Sequence, residues 1–118
     1  MFKAKILEIG PLVPDFKEEN LLVLFGKSAP PELREFSVIH DSEKQSKNVI
    51  KKEGILRIGN DKYTIRKVGD EANKNLYELG HLSIYFGENN GQEVLPGAIL
   101  VTPNVFPDLE INDLITFE

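Results

Sequence analysis

The sequence predicts a mainly β domain, either a closed barrel or a sandwich, and three observations carry that prediction. Short apolar runs recur at close intervals, with Gly, Pro, Asn and Asp between them. The stretch GILRIGNDKYTIRKVG reads as a hairpin. Leu56 and Ile58 form one arm, Tyr63, Ile65 and Val68 the other, and Gly59-Asn60-Asp61 has the chemistry of a tight turn. Helical spacing, finally, is confined to two short stretches.

Taken in order, the elements read as follows. Met1 to Ile9 alternates loosely and opens the domain. Leu21 to Phe25 is a Leu/Val strand that stops at Gly26. The run PPELREF predicts a single helical turn with proline at its start. Phe36 to His40 is a short strand that ends on a histidine, and seven residues without an apolar side chain follow it. After the hairpin, DEANKNLYELG predicts a helix. Asp70 or Asn73 would cap it, Leu76 and Leu79 share a face, and Gly80 stops it. HLSIYFG places Leu82, Ile84 and Phe86 on one face of a strand, and ENNGQ turns the chain. GAILV is a buried strand stopped by Thr102-Pro103, and DLITFE is the last strand. With 118 residues and no repeat or linker, residues 1–118 read as one domain. A chain of this length buries roughly two-thirds of its unfolded surface.

Composition removes several function classes. There are no cysteines, which excludes disulfides, thiolate catalysis and cysteine-based zinc sites. The longest apolar runs fall far short of the roughly 20 residues that cross a bilayer, so no membrane insertion is expected. The first residues lack a signal-peptide pattern, and a cytoplasmic protein is expected. A net charge of -5 with scattered Lys and Arg argues against nucleic-acid binding. It keeps the protein soluble and would also suit docking on a basic partner.

Catalogued catalytic motifs are absent: there is no phosphate loop, no GxSxG and no HExxH. The glycines at 54, 59, 69, 80, 87, 91 and 97 sit where turns are expected. The paired acids Glu18-Glu19 and Asp70-Glu71 read as solvated surface. Two histidines remain, His40 and His81. Two imidazoles without a third ligand at a characteristic spacing make a weak case for a metal site. An imidazole can act as a nucleophile towards phosphorus near neutral pH. From chemistry alone, each reads first as a satisfied structural or surface residue.

Four segments sharpen that reading. APPELREFSVIH (residues 29–40), GNDKYTIRKVG (59–69), NLYELGHLSIYF (75–86) and LPGAILV (95–101) together resemble the glucitol/sorbitol-specific IIA component of the bacterial phosphotransferase system. Their order and spacing match over nearly the whole chain. The resemblance implies a closed β-barrel that exchanges segments in a homodimer, and a phosphotransferase that needs no cofactor or metal. It implies that His40 is the phosphorylated, catalytic residue. His40 would accept the phosphoryl group from the phosphocarrier protein HPr and pass it to the IIB part of the IIB/IIC permease for glucitol/sorbitol. His81 falls in a second matching segment, where it either supports the phosphoryl group or closes the helix-to-strand junction.

A strand-end histidine suits this chemistry, since phosphoryl transfer asks mainly for positioning and for donors to the phosphoryl oxygens. The candidate donors are Ser42, Ser46, Lys44, Lys47 and backbone N–H groups, while Asp41 is expected to turn away or cap the loop. His40 is expected to face solvent, so that its replacement would cost no more than about 0.5 kcal/mol. The alternative function is a β-barrel interaction or regulatory module without phosphotransfer activity.

Overall fold

Alternating apolar side chains close eight strands into a barrel around one core. The computed structural model describes residues 2–42, 47–88 and 93–118. The strands are β1 (Phe2–Ile9), β2 (Leu21–Gly26), β3 (Val38–His40), β4 (Ile55–Ile58), β5 (Asp61–Val68), β6 (Leu82–Phe86), β7 (Ala98–Thr102) and β8 (Leu114–Phe117). Around the barrel they follow the order β1-β3-β2-β6-β7-β5-β4-β8, and β8 pairs back onto β1. All eight come from one chain, and among the described residues closure leaves no unpaired sheet edge. The pairs β2/β3 and β6/β7 are parallel and the rest antiparallel. This is the barrel, rather than the sandwich, of the two predicted architectures.

The inward faces are those the alternation predicts. Phe2, Ala4 and Ile6 of β1, Leu56 and Ile58 of β4, Tyr63 and Ile65 of β5, and Leu82, Ile84 and Phe86 of β6 join one core. The hairpin β4–β5 turns at Gly59, whose φ of 58° is left-handed, so glycine belongs there. Strand β2 is buried on both faces, and a 3-10 helix (Val13–Glu19), which the sequence reading missed, lies against it and sends Val13 into the barrel core. Outward-facing Phe25 and Ile39 form a second small cluster with Ala29. Arg34 braces the segment above it. It donates to the carbonyls of Lys27 and Ala29 and pairs with Glu8 at 2.7 Å.

Among the described residues, two short α-helices complete the fold, α1 (Pro31–Arg34) and α2 (Ala72–Leu79). Ala72 and Leu76 of α2 are buried in the barrel core, so α2 closes one end of the barrel. Its predicted cap is not used: Glu71 occupies the N-cap without a side-chain hydrogen bond. Asn73 instead clamps the chain entering β4, since its side chain accepts from the Ile50 N–H and donates to the Ile50 carbonyl. β3 is also shorter than predicted. Phe36 lies before it and packs edge-on against Phe16, and the Ser37 hydroxyl donates to the Leu33 carbonyl. The turn predicted at ENNGQ falls mostly outside the described residues.

Candidate functional site

The site begins at the end of β3. Val38 and His40 point to the same side, so the imidazole lies on the barrel-interior side, at the end that α2 closes. Parallel pairing with β2 places Gly26 beside His40, and antiparallel pairing with β1 places Ile6 on its other side. The β1 register shifts between Ile6 and Glu8, next to the histidine. Such bulges are frequent beside active sites. The ladder continues one residue past the strand: Asp41 N–H donates to the Lys5 carbonyl, and Lys5 N–H donates to Asp41 Oδ1 at 2.6 Å. Asp41 therefore turns to β1.

The expectation that His40 faces solvent is overturned, for its relative exposure is 0%. The cause is topological. β3 is flanked by strands on both sides, and the C-terminal end of α2 packs over its last residue. His40 Nε2 lies 2.7 Å from the carbonyl of Gly80, and Ser42 N–H lies 3.2 Å from Nδ1. The Phe2 ring meets the imidazole edge-on, with 6.1 Å between centroids. Of the predicted donors, the backbone N–H of Ser42 reaches the ring. Lys47 Nζ instead lies 5.1 Å above the ring of Tyr77 on α2. Lys44 and Ser46 lie outside the described residues.

Gly80 and Gly26 are the functional positions that sequence reasoning missed. Gly80 ends α2 in the left-handed conformation, with φ 68°. The N–H groups of Gly80 and His81 close the helix on the carbonyls of Leu76 and Asn75. This leaves the Gly80 carbonyl, at the partially negative end of the helix, free to hold His40. A Cβ on Gly80 would stand 2.8 Å from Gly26 N and 2.9 Å from His40 Cε1, and one on Gly26 would stand 2.7 Å from the Leu79 carbonyl oxygen. Two bare backbones are thus pressed together to bring α2 onto the histidine. The LGH sequence signals a helix stop, but not that the stop contacts a residue 40 positions earlier.

His81 follows directly. Its Nδ1 lies 3.2 Å from the Leu24 carbonyl, so Nδ1 carries the proton and donates, and its ring stacks on Phe25 with 4.6 Å between centroids. The structure therefore brings His81 to the same junction as His40, through the Gly80 peptide. No hydrogen bond or ring pair links the two imidazoles among the described residues. The acid pairs Glu18-Glu19 and Asp70-Glu71 are exposed, and no group of three metal-ligating side chains occurs among the described residues.

Burial pushes the His40 pKa below its ordinary value, and the Gly80 carbonyl and then the Asp41 carboxylate oppose that shift without cancelling it. The imidazole is thus neutral near pH 7, with one lone pair available. The unfolded chain takes up this proton more readily than the folded one. The stability that comes from burying a neutral ring is therefore complete above about pH 6.5 and is lost as pH falls towards the lower folded value. The melting temperature of the native protein is expected to fall more than that of His40→Gln between about pH 7.5 and about pH 5.5. Equal falls in the two proteins would contradict this assignment.

By architecture, the chain falls first among the IIA components of the phosphotransferase system (PTS). It is similar to the crystal structure of a PTS system IIA component from Enterococcus faecalis V583, with a TM-score of 0.89 and 30% identity, covering 98% of each chain. A family model for the PTS system glucitol/sorbitol-specific IIA component matches residues 1–116. The PTS system glucitol/sorbitol-specific EIIA components of Shigella flexneri and Escherichia coli (strain K12) are each 29% identical over 118 residues, covering all of this chain and 94% of the relative. The chain belongs to the glucitol/sorbitol-specific IIA component family, and is a component of a sugar phosphotransferase system.

Proposed function

We propose that this chain relays phosphoryl groups on His40, accepting them from the phosphohistidine of HPr and passing them to the IIB component of a glucitol/sorbitol permease. The observation that carries the reading is the neutral imidazole at the end of β3, anchored through one nitrogen on the Gly80 carbonyl. A neutral ring placed by a strand end keeps its orientation as a nucleophile towards phosphorus. Family membership supports the two partners. The protein works in the cytoplasm on this reading, and no described helix is long and apolar enough to cross a membrane. The test is onward transfer: the phosphorylated chain, freed of HPr, should lose its phosphate to purified IIB. Retention of the phosphate in the presence of active IIB would overturn the relay.

A second reading, an interaction module without phosphotransfer, draws on the complete burial of His40. Under it, HPr would leave the chain unmodified. The homodimer implied by the resemblance is part of the first reading, and sedimentation at micromolar concentration should give twice the mass of one chain. A monomer alone would remove the dimer from the account.

In the relay, His81 positions the junction that carries the Gly80 carbonyl. His81→Ala removes its bond to Leu24 and its packing on Phe25, and should cost about 1–2 kcal/mol. Acceptance per folded molecule should slow severalfold. His81→Asn, which keeps a donor at the Nδ1 position, should restore much of both. Loss of stability with an unchanged transfer rate would leave His81 a purely structural residue.

A further inference from the structure

We infer that Leu79, the last residue of α2, is the apolar anchor on which HPr docks to reach His40; the inference rests on the relay reading and adds a docking surface to it. Leu76 and Leu79 lie on one helical stripe, and Leu76 is buried in the barrel core. Leu79 runs past that core and stays 45% exposed. The C-terminal end of a helix carries partial negative charge and favours a polar or basic side chain. Neither core packing nor helix chemistry therefore accounts for a leucine here.

Single exposed leucines are ordinary on protein surfaces, so what matters is where this one stands. Among the described residues, large apolar side chains are exposed at Leu12, Leu79, Leu95, Val105, Ile111 and Leu114. Of these, Leu79 alone is next in the chain to a residue bonded to the His40 ring, through Gly80. Its Cα is one step of about 3.8 Å from that of Gly80. The Gly80 carbonyl lies 2.7 Å from the imidazole. Docking must bring the donor histidine within one phosphoryl group of His40. Even a small transient interface, of about 1,000 Å² in total, covers a disc roughly 12 Å in radius on each partner. Centred over His40, such a disc takes in Leu79.

The leucine is also held in place before any partner arrives. The N–H groups of Gly80 and His81 close the last turn on the carbonyls of Leu76 and Asn75. Under that turn the Leu79 carbonyl abuts Gly26 with no room for a Cβ between them. On the other flank of Gly80, the half-buried His81 ring stacks on Phe25. Leu79 thus projects from fixed backbone, which spares ordering entropy when a partner docks. The surface it fits is an apolar one bordering the donor histidine of HPr.

Acceptance kinetics with phosphorylated HPr as the varied substrate test this. Leu79→Gln keeps helix propensity and removes the apolar contact. Its kcat/KM for phosphorylated HPr should fall at least about tenfold, with kcat within about twofold of the native value, because only binding is lost. Leu79→Met, which stays apolar, should keep the native kcat/KM. Val105 is 54% exposed and follows the far end of β7, away from α2, so Val105→Gln should change neither constant. A native kcat/KM in Leu79→Gln, or an equal fall in Val105→Gln, would overturn the inference and leave the relay standing. So would a changed sedimentation mass in Leu79→Gln, which would make the leucine a contact between copies of this chain. Failure of the native chain to accept phosphate from HPr would overturn both.

Discussion

His40→Gln is expected to fold and to accept no phosphoryl group. The glutamine amide nitrogen can occupy the place of Nε2 and donate to the Gly80 carbonyl, but an amide is no nucleophile towards phosphorus. His40→Ala should likewise accept nothing, at a greater structural cost. It leaves a cavity at the end of β3 and strips partners from the Gly80 carbonyl and the Ser42 N–H. Unsatisfied buried groups and the lost packing together cost about 2–4 kcal/mol. At roughly 4 °C per kcal/mol for a chain of this size, the melting temperature should drop by roughly 8–16 °C. Thermal melts of both variants, beside an acceptance assay, check this. An alanine variant as stable as the native protein would contradict the buried placement of His40.

Gly80→Ala is the second change with a large expected effect. Alanine in the left-handed conformation costs about 1–2 kcal/mol before any contact is considered. Its Cβ also lands against Gly26 N and Cα and His40 Cε1, all under 3.0 Å away. Gly26 is backbone of a paired strand and cannot yield cheaply, so α2 must lift and the carbonyl must leave Nε2. A total loss of about 3 kcal/mol or more is expected. Phosphoryl acceptance should slow by at least about tenfold in the molecules that remain folded, since the ring gains positive charge as it bonds to phosphorus and the bond to the carbonyl is then charge-assisted, worth roughly 1.5–3 kcal/mol. Tenfold slowing would separate Gly80 from an ordinary helix stop. A rate equal to that of the native protein, per folded molecule, would show that the carbonyl does not matter to the transfer.

The strands were legible because their inward residues alternate, as in Leu82, Ile84 and Phe86, and because the Gly59 turn has a sharp local signature. The 3-10 helix was not. Its sequence VPDFKEE has no helical apolar spacing, and only Val13 is buried. The N-cap of α2 was misread because Asn73 serves a long-range bond to Ile50, which local propensity does not encode. His40 could be singled out from its segment, but its burial could not. A polar run after a histidine looks like exposure, whereas the cover comes from α2 and β1, elements far away in sequence. For the same reason Gly80 read only as a stop. A glycine chosen for its closeness to another backbone leaves no trace in its neighbours.

The most direct test of the relay is the location of the phosphate in the native chain. Trypsin separates the two histidines cleanly. Cleavage at Arg34 and Lys44 places His40 in residues 35–44, and the absence of Lys and Arg beyond Lys74 places His81 in residues 75–118. The chain is incubated with phosphoenolpyruvate, enzyme I and HPr, then digested and weighed without exposure to acid. The account predicts one phosphate increment on the peptide of residues 35–44 and none on that of residues 75–118. An increment on residues 75–118, or on neither peptide when a control IIA protein is loaded, would contradict it.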